Sequence, residues 1–138
     1  GHQSLVKQAL PLFDKIIIAI GRNSEKDNHL FPITKRINWI KNVYHDNPKI
    51  EVETYKDLTV KFCEFKKANF IIRGLRNGDD FKFEKDIAQM NNKINNNLET
   101  VFFITPPELS HISSSVIRDI IRNGGDASKF IPKEITLK

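Results

Sequence analysis

The feature that most constrains the fold is a regular alternation of short apolar segments with longer segments of helical spacing. Four apolar segments are rich in β-branched or aromatic residues and lack helical periodicity: KIIIAI (15–20), IEVETY (50–55), NFIIRG (69–74) and TVFFIT (100–105). The first and last are nearly continuous in apolar residues, which is typical of strands that helices cover on both faces of a parallel sheet.

Helical spacing of apolar residues marks five further segments: HQSLVKQALPLF (2–13), ITKRINWIKNVYHD (33–46), LTVKFCEFKKA (58–68), DFKFEKDIAQMNNKI (80–94) and SSSVIRDIIRNGG (113–125). Pro32 and Thr34 are start signals for the second segment, and Gly124 is a stop signal for the last. The alternating order predicts an α/β fold, with a mostly parallel sheet flanked by helices, in a single domain over residues 1–138.

Composition narrows the class of protein. No apolar run approaches the roughly 20 residues of a membrane-spanning helix, and no signal peptide is visible. The single Cys63 lies in an apolar pattern and is expected to be a buried free thiol, which fits a cytoplasmic protein. The net charge of +5 favours an anionic partner, but the basic residues are scattered, which argues against nucleic acid.

Two arginines follow the third predicted strand, in NFIIRGLRNGDDFKFE (69–84). Ligands of open parallel sheets bind outside the carboxyl ends of the strands, and arginine presents a planar fork of donors that suits phosphate oxygens. Arg73 and Arg76 are therefore either a phosphate clamp or an ion-pair network with Asp79, Asp80 or Glu84. Gly74 between them would allow a turn or a close approach of backbone to ligand.

Three consecutive serines, Ser113 to Ser115, open the last predicted helix, and Arg118 lies one turn further on. One serine would serve as an ordinary N-cap, whereas three make a hydroxyl-rich helix N-terminus that suits an anion. Lys26, in the loop after the first strand, either contacts a phosphate or is solvated. No metal-ligand spacing, nucleophile–base order or Walker-type loop is present, so the pattern favours phosphoryl or nucleotidyl transfer by positioning and charge neutralisation.

Taken together, IRGLRNGDDFKFE, AQMN, HISSSVIR and FIP give the chain a resemblance along essentially its whole length to the bacterial phosphopantetheine adenylyltransferases of the nucleotidyltransferase superfamily. The resemblance implies a Rossmann-like dinucleotide-binding fold. It also implies transfer of the adenylyl group of ATP to 4′-phosphopantetheine, which gives dephospho-coenzyme A and pyrophosphate by direct in-line attack. Mg²⁺ would arrive with ATP, and the family is commonly a homo-hexamer inhibited by coenzyme A.

The same resemblance assigns roles to individual residues. His2, Lys26 and Arg76 would act on the reacting phosphates. Phosphopantetheine would contact one set of side chains, and ATP another. The first set is Lys26, Asp57, Leu58, Thr59, Arg73 and Asn91; the second is His2, Arg76, Glu84, Ser113, Ser114, Ser115 and Arg118. Thr59 stands where many members carry Met, and Phe83 stands where they often carry Tyr.

The chain departs from the family pattern at its front. The family motif PGxFDPxTxGH begins upstream, and this sequence starts at its last two residues, Gly1 and His2. The resemblance therefore implies a further N-terminal strand from the middle of the sheet, and without it we expect weak or absent catalysis.

Two other functions fit the same residues. A related nucleotidyltransferase would act on nicotinamide mononucleotide or glycerol phosphate. A basic non-catalytic module would bind RNA or an acidic protein, with steep salt dependence.

Overall fold

The order of helices and strands follows the predicted alternation. The computed structural model of the protein describes residues 1–22 and 29–137. In chain order the helices and strands are α1 His2–Ala9, β1 Ile16–Gly21, α2 Ile33–Val43, β2 Ile50–Tyr55, α3 Thr59–Phe65, β3 Phe70–Leu75, α4 Gly78–Ile94, β4 Glu99–Ile104 and α5 Ser114–Arg122. Short 3-10 helices at Leu10–Leu12, Pro107–Leu109 and Ser128–Phe130 complete the described part. The predicted strands and helices are confirmed, with differences only at their ends.

The chain divides into two units. The first comprises Gly1–Leu12 and Asp57–His111, and the second comprises Phe13–Lys56 and Ile112–Lys138. Each unit contains one pair of parallel strands. In the first, β3 pairs with β4 from Phe70 opposite Glu99 onward, and in the second, β1 pairs with β2 from Ile16 opposite Ile50 onward. The parallel α/β character is therefore confirmed, whereas the extent of a single domain stays a prediction.

The core of the first unit forms where α3 packs beside the strand pair. Val60 and Cys63 of α3 and Leu98, just before β4, are buried together, with Ala68 and Ile71 packed against them. Burial raises the pKa of the Cys63 thiol, and the neighbouring Glu64 raises it further. The expected buried free thiol is confirmed, and its raised pKa makes it a poor nucleophile.

Helix α4 begins at a side-chain cap and carries an exposed apolar stripe. The Asn77 side chain accepts a hydrogen bond from the backbone N–H of Asp80, which is an N-cap interaction. The spacing of Phe83, Ile87, Met90 and Ile94 predicted the helix correctly, but these side chains are exposed, Phe83 by 67% and Met90 by 64%. Helical periodicity thus located the helix without showing that its apolar face would be buried.

Helix α5 ends as its glycines predict. Gly124 has a φ of +75°, and its N–H donates to the carbonyl of Ile121, while the N–H of Gly125 donates to the carbonyl of Ile120. This pair of bonds is a Schellman motif, in which glycine takes the left-handed position because it has no Cβ.

The burial of Leu98 predicts that Leu98→Ala strongly destabilises the folded protein. Leu98 is only 1% exposed, so its truncation should lower the free energy of unfolding by about 2–5 kcal/mol through lost burial and a cavity. Leu12→Ala is the matched control, because Leu12 is 66% exposed, and it should cost less than about 1 kcal/mol. Denaturant unfolding of both variants measures this, and equal losses would contradict the described core.

Candidate active site

The first feature of the site is a two-point ion pair between β3 and α4. Arg73 Nε donates to Glu84 Oε2 at 2.9 Å, and Arg73 Nη2 donates to Glu84 Oε1 at 2.6 Å. Glu84 lies in the second turn of α4, and its side chain is mostly buried, whereas that of Arg73 is half exposed. The carboxylate therefore fixes the plane of the guanidinium at the carboxyl end of the strand.

A second ion pair lies beside the turn that joins β3 to α4. Arg76 Nε and Nη2 donate to the two carboxylate oxygens of Asp80, at 2.9 and 3.0 Å. The backbone N–H of Arg76 also donates to Asp80 Oδ2, at 3.0 Å. The chain turns at Arg76 and Asn77 rather than at Gly74, which is a regular residue of β3. Of the two roles that Gly74 would allow, the turn is not observed, and a close approach of backbone to ligand stays a prediction.

The contacts between Arg76 and Asp80 shift the pKa of both side chains. The side-chain hydrogen bonds to Asp80 are the main cause of a raised pKa for Arg76, and the bonds from Arg76 are the main cause of a lowered pKa for Asp80. Both groups therefore stay charged throughout the physiological range. The ion-pair alternative is confirmed for both arginines. The ion pairs are compatible with phosphate binding, because a guanidinium has five N–H donors and each ion pair uses two of them.

His2 opens α1 near Arg73. Desolvation of the ring is the largest cause of a lowered pKa for His2, and the positive charge of Arg73 lowers it further. This environment favours the neutral imidazole at pH 7, which donates one N–H hydrogen bond and carries no charge.

The residues assigned to the pantetheine arm lie at the start of α3 and on α4, in the first unit. Asp57 and Leu58 precede α3, with both residues exposed, and Thr59 is its first residue. Asn91 lies on α4 and is half buried. Their assignment to phosphopantetheine stays a prediction.

The serines of α5 have different surroundings. Ser113 is the N-cap, and its Oγ accepts a hydrogen bond from the N–H of Val116 at 3.3 Å and lies 3.0 Å from Ser115 Oγ. Ser114 is exposed, and its hydroxyl and backbone N–H bond to no residue within 1–22 or 29–137. The capping interpretation is confirmed for Ser113, and anion binding at this helix start stays a prediction.

The remaining predicted site residues are Arg118 and Lys26. Arg118 is exposed one turn into α5 and makes no ion pair with any residue that the structure describes. Lys26 lies outside the described residues. The two arginine pairs and His2 therefore lie in the first unit, and the serines and Arg118 lie in the second.

The described residues also form a surface cleft that is lined by none of the predicted site residues. This cleft, of about 470 Å³ in the second unit, is lined by Lys41, Asn42, Tyr44, His45, Asn47, Pro48, Ile50 and Val52.

Among the residues described, no three His, Cys, Asp or Glu side chains are placed to share a metal ion. Over the same residues, no helix has both the length and the apolar character needed to cross a membrane.

Comparison with known proteins decides the family. The cytidylyltransferase-like family matches residues 1–120. A phosphopantetheine adenylyltransferase of Flavobacterium psychrophilum is 46% identical over 138 residues, covering all of this chain and 90% of the relative. Those of Cytophaga hutchinsonii and Bacteroides thetaiotaomicron are 47% and 44% identical, covering 98% and 96% of this chain and 89% and 87% of the relatives.

The chain belongs to the phosphopantetheine adenylyltransferase family. The family resemblance inferred from IRGLR and ISSSxxR is thus confirmed along the whole chain.

Sequence reasoning did not give Asp80 a role in the site. It offered Asp79, Asp80 and Glu84 as equivalent ion-pair partners, and the structure separates them: Glu84 holds Arg73 and Asp80 holds Arg76. The signal for Asp80 was its four-residue spacing from Arg76 across a turn capped by Asn77, three residues before it.

The serine contacts predict that two neighbouring substitutions destabilise the protein to different extents. Ser113→Ala removes the N-cap of α5 and should lower the free energy of unfolding by about 0.5–2 kcal/mol. Ser114→Ala is the control in the same turn and should change it by less than about 0.5 kcal/mol. Thermal or denaturant unfolding distinguishes them, and a larger loss for Ser114→Ala would contradict the described cap.

Proposed function

We propose that the protein transfers the adenylyl group of ATP to 4′-phosphopantetheine, giving dephospho-coenzyme A and pyrophosphate. The observation that carries the proposal is the pair of oriented guanidinium groups, Arg73 and Arg76, at the carboxyl end of β3 in a chain of this family. Oriented arginine forks are suited to binding two phosphorylated substrates.

The reaction needs positioning more than acid–base chemistry. An oxygen of the phosphopantetheine phosphate, already ionised at neutral pH, attacks the α-phosphorus of ATP. A new P–O bond forms as the bond from that phosphorus to the bridging oxygen breaks, and pyrophosphate leaves with the electron pair. The chain contributes by aligning the two substrates and stabilising the charge that grows on the phosphates.

We assign the phosphopantetheine phosphate to Arg73 and Lys26. Glu84 holds Arg73 through Nε and Nη2, so the guanidinium is already oriented when the phosphate binds. Asp57, Leu58, Thr59 and Asn91 would line the pantetheine arm, and the exposed Leu58 offers apolar surface to its methylene groups.

We assign ATP to His2, Arg76, Glu84, Ser113 to Ser115 and Arg118. The neutral imidazole of His2 can donate a hydrogen bond to an oxygen of the α-phosphate. Ser114 supports the proposal for the serine helix, since its hydroxyl and N–H bond to none of the described residues and lie at the positive end of a helix dipole.

Magnesium would enter as part of the substrate, bound to ATP. The described carboxylates nearest the arginines, Asp80 and Glu84, are engaged by guanidinium groups. That donor set fits a metal held by phosphate oxygens and water better than a protein cage. Bound there, Mg²⁺ would neutralise charge on the triphosphate.

We further propose a homo-hexamer in the cytoplasm, with coenzyme A as a feedback inhibitor. The exposed apolar side chains of α4, Phe83, Ile87, Met90 and Ile94, support self-association. The reduced thiol of Cys63 accords with the cytoplasm. Light scattering after size-exclusion chromatography would report the mass.

The function is tested by pyrophosphate release from Mg·ATP, with and without 4′-phosphopantetheine. When the chain is preceded by the family's N-terminal motif, we expect release that depends on phosphopantetheine. Dependence on nicotinamide mononucleotide or glycerol phosphate instead would assign a different acceptor. Salt-sensitive RNA binding without any release would overturn the enzymatic proposal.

Arg73→Lys tests the role of the guanidinium fork. The change keeps the charge but loses the planar, two-point geometry, so kcat/KM should fall about 100-fold or more. Arg122→Lys is the matched control, because Arg122 is an exposed residue in the last turn of α5, and its kinetics should stay within about twofold of the parent. Near-normal kinetics for Arg73→Lys would make Arg73 a structural residue.

A further inference from the structure

In the first turn of α4, the carboxylate of Asp80 is held more firmly than that of an ordinary surface residue. The Asp80 carboxylate accepts three hydrogen bonds from Arg76, from Nε, Nη2 and the backbone N–H. The backbone N–H of Asp80 is itself held by Asn77 Oδ1 at 2.9 Å. Asp80 is therefore fixed by its own backbone, and it fixes both the main chain and the side chain of Arg76.

We propose that Asp80 is a positioning residue that holds the Arg76 guanidinium so that its unused edge meets a phosphate of the nucleotide substrate. The proposal rests on the proposed function, and it adds a residue to which no role in the reaction has been given. The bonds to Asp80 use Nε and Nη2, whereas Nη1 bonds to no residue that the structure describes. A phosphate can thus be received at the outer edge without breaking the pair.

The geometry favours positioning over a purely stabilising role. The side chains of Arg76 and Asp80 remain 37% and 22% exposed, and ion pairs in such surroundings contribute little to folding because water screens them. A long arginine side chain loses much rotamer freedom when it binds a ligand. A carboxylate that has already ordered the side chain lowers that loss at the moment of binding.

Asp79 provides a matched comparison. It lies beside Asp80 in the first turn of α4 and has the same relation to the helix dipole. Asp79 makes no ion pair with any residue in the described ranges, whereas Asp80 holds Arg76. If only the negative charge at the helix start mattered, removing the charge of either residue would lower activity equally. If Asp80 positions Arg76, only the substitution of Asp80 would lower activity.

The kinetic test compares Asp80→Asn with Asp79→Asn in the full chain. Asparagine keeps an acceptor for the backbone N–H of Arg76 but loses the charge and the second carboxylate oxygen. We expect Asp80→Asn to lower kcat/KM for ATP about tenfold, which corresponds to about 1.4 kcal/mol of transition-state stabilisation. Asp79→Asn should stay within about twofold, and Asp80→Glu should recover part of the loss. Equal losses in the two asparagine variants would overturn the proposal.

A double-mutant cycle shows whether Asp80 acts through Arg76. If it does, Arg76→Ala with Asp80→Asn should be no slower than Arg76→Ala alone, because the interaction is already lost. Losses that multiply in the double variant would show that Asp80 acts independently and would overturn the proposal. Thermal unfolding of each variant identifies any that fail to fold, and Asp80→Glu then replaces Asp80→Asn.

Binding of inorganic pyrophosphate separates this inference from the proposed function. Calorimetry with pyrophosphate needs no turnover, so it tests Asp80 even if the parent protein releases no product from phosphopantetheine. We expect Asp80→Asn to bind pyrophosphate several-fold more weakly than the parent and than Asp79→Asn. Tighter binding to Asp80→Asn would show that the carboxylate merely competes with phosphate for Arg76, and would overturn the proposal.

Discussion

The candidate site depends on two ion pairs that join the carboxyl end of β3 to helix α4. In each pair an arginine that lies at or just after the end of β3 binds a carboxylate of α4. Asp80 and Glu84 are four residues apart and so lie on the same face of the helix, one turn from each other. Each takes one guanidinium in a two-point contact, Arg76 with Asp80 and Arg73 with Glu84. The pairing fixes where both arginine side chains lie at the carboxyl end of the strand, which is the edge where open parallel sheets bind ligands.

The ion pairs orient the site, while apolar burial stabilises the fold. An exposed pair contributes about 0–1 kcal/mol to stability, whereas full burial of a leucine side chain contributes about 1.5–3 kcal/mol. Leu98, Val60 and Cys63 supply such burial in the first unit. Since this core contains neither Arg73 nor Arg76, the two arginines can be selected for phosphate chemistry with little effect on the burial that stabilises the fold.

Sequence reasoning predicted most of the fold and part of the site. The strands and helices followed from local signals, such as the apolar run of β1 and the glycine stop after Arg122, which act over a few residues. The partners of Arg73 and Arg76 did not follow, because Asp79, Asp80 and Glu84 are equivalent in composition and only the direction of α4 separates them. The exposure of Phe83 and Met90 was also missed, since periodicity identifies a face but not what covers it.

The paired carboxylates determine how the site can select its ligand. Two arginines with two carboxylates form a group of zero net charge, so strong local attraction for phosphate cannot be its main contribution. The overall charge of +5 supplies attraction at longer range. Selectivity must then come from the directions of the remaining N–H donors, which discriminate between ligands by geometry. A site of this kind rejects an anion that cannot match those directions, and it needs its arginines ordered before the phosphate arrives.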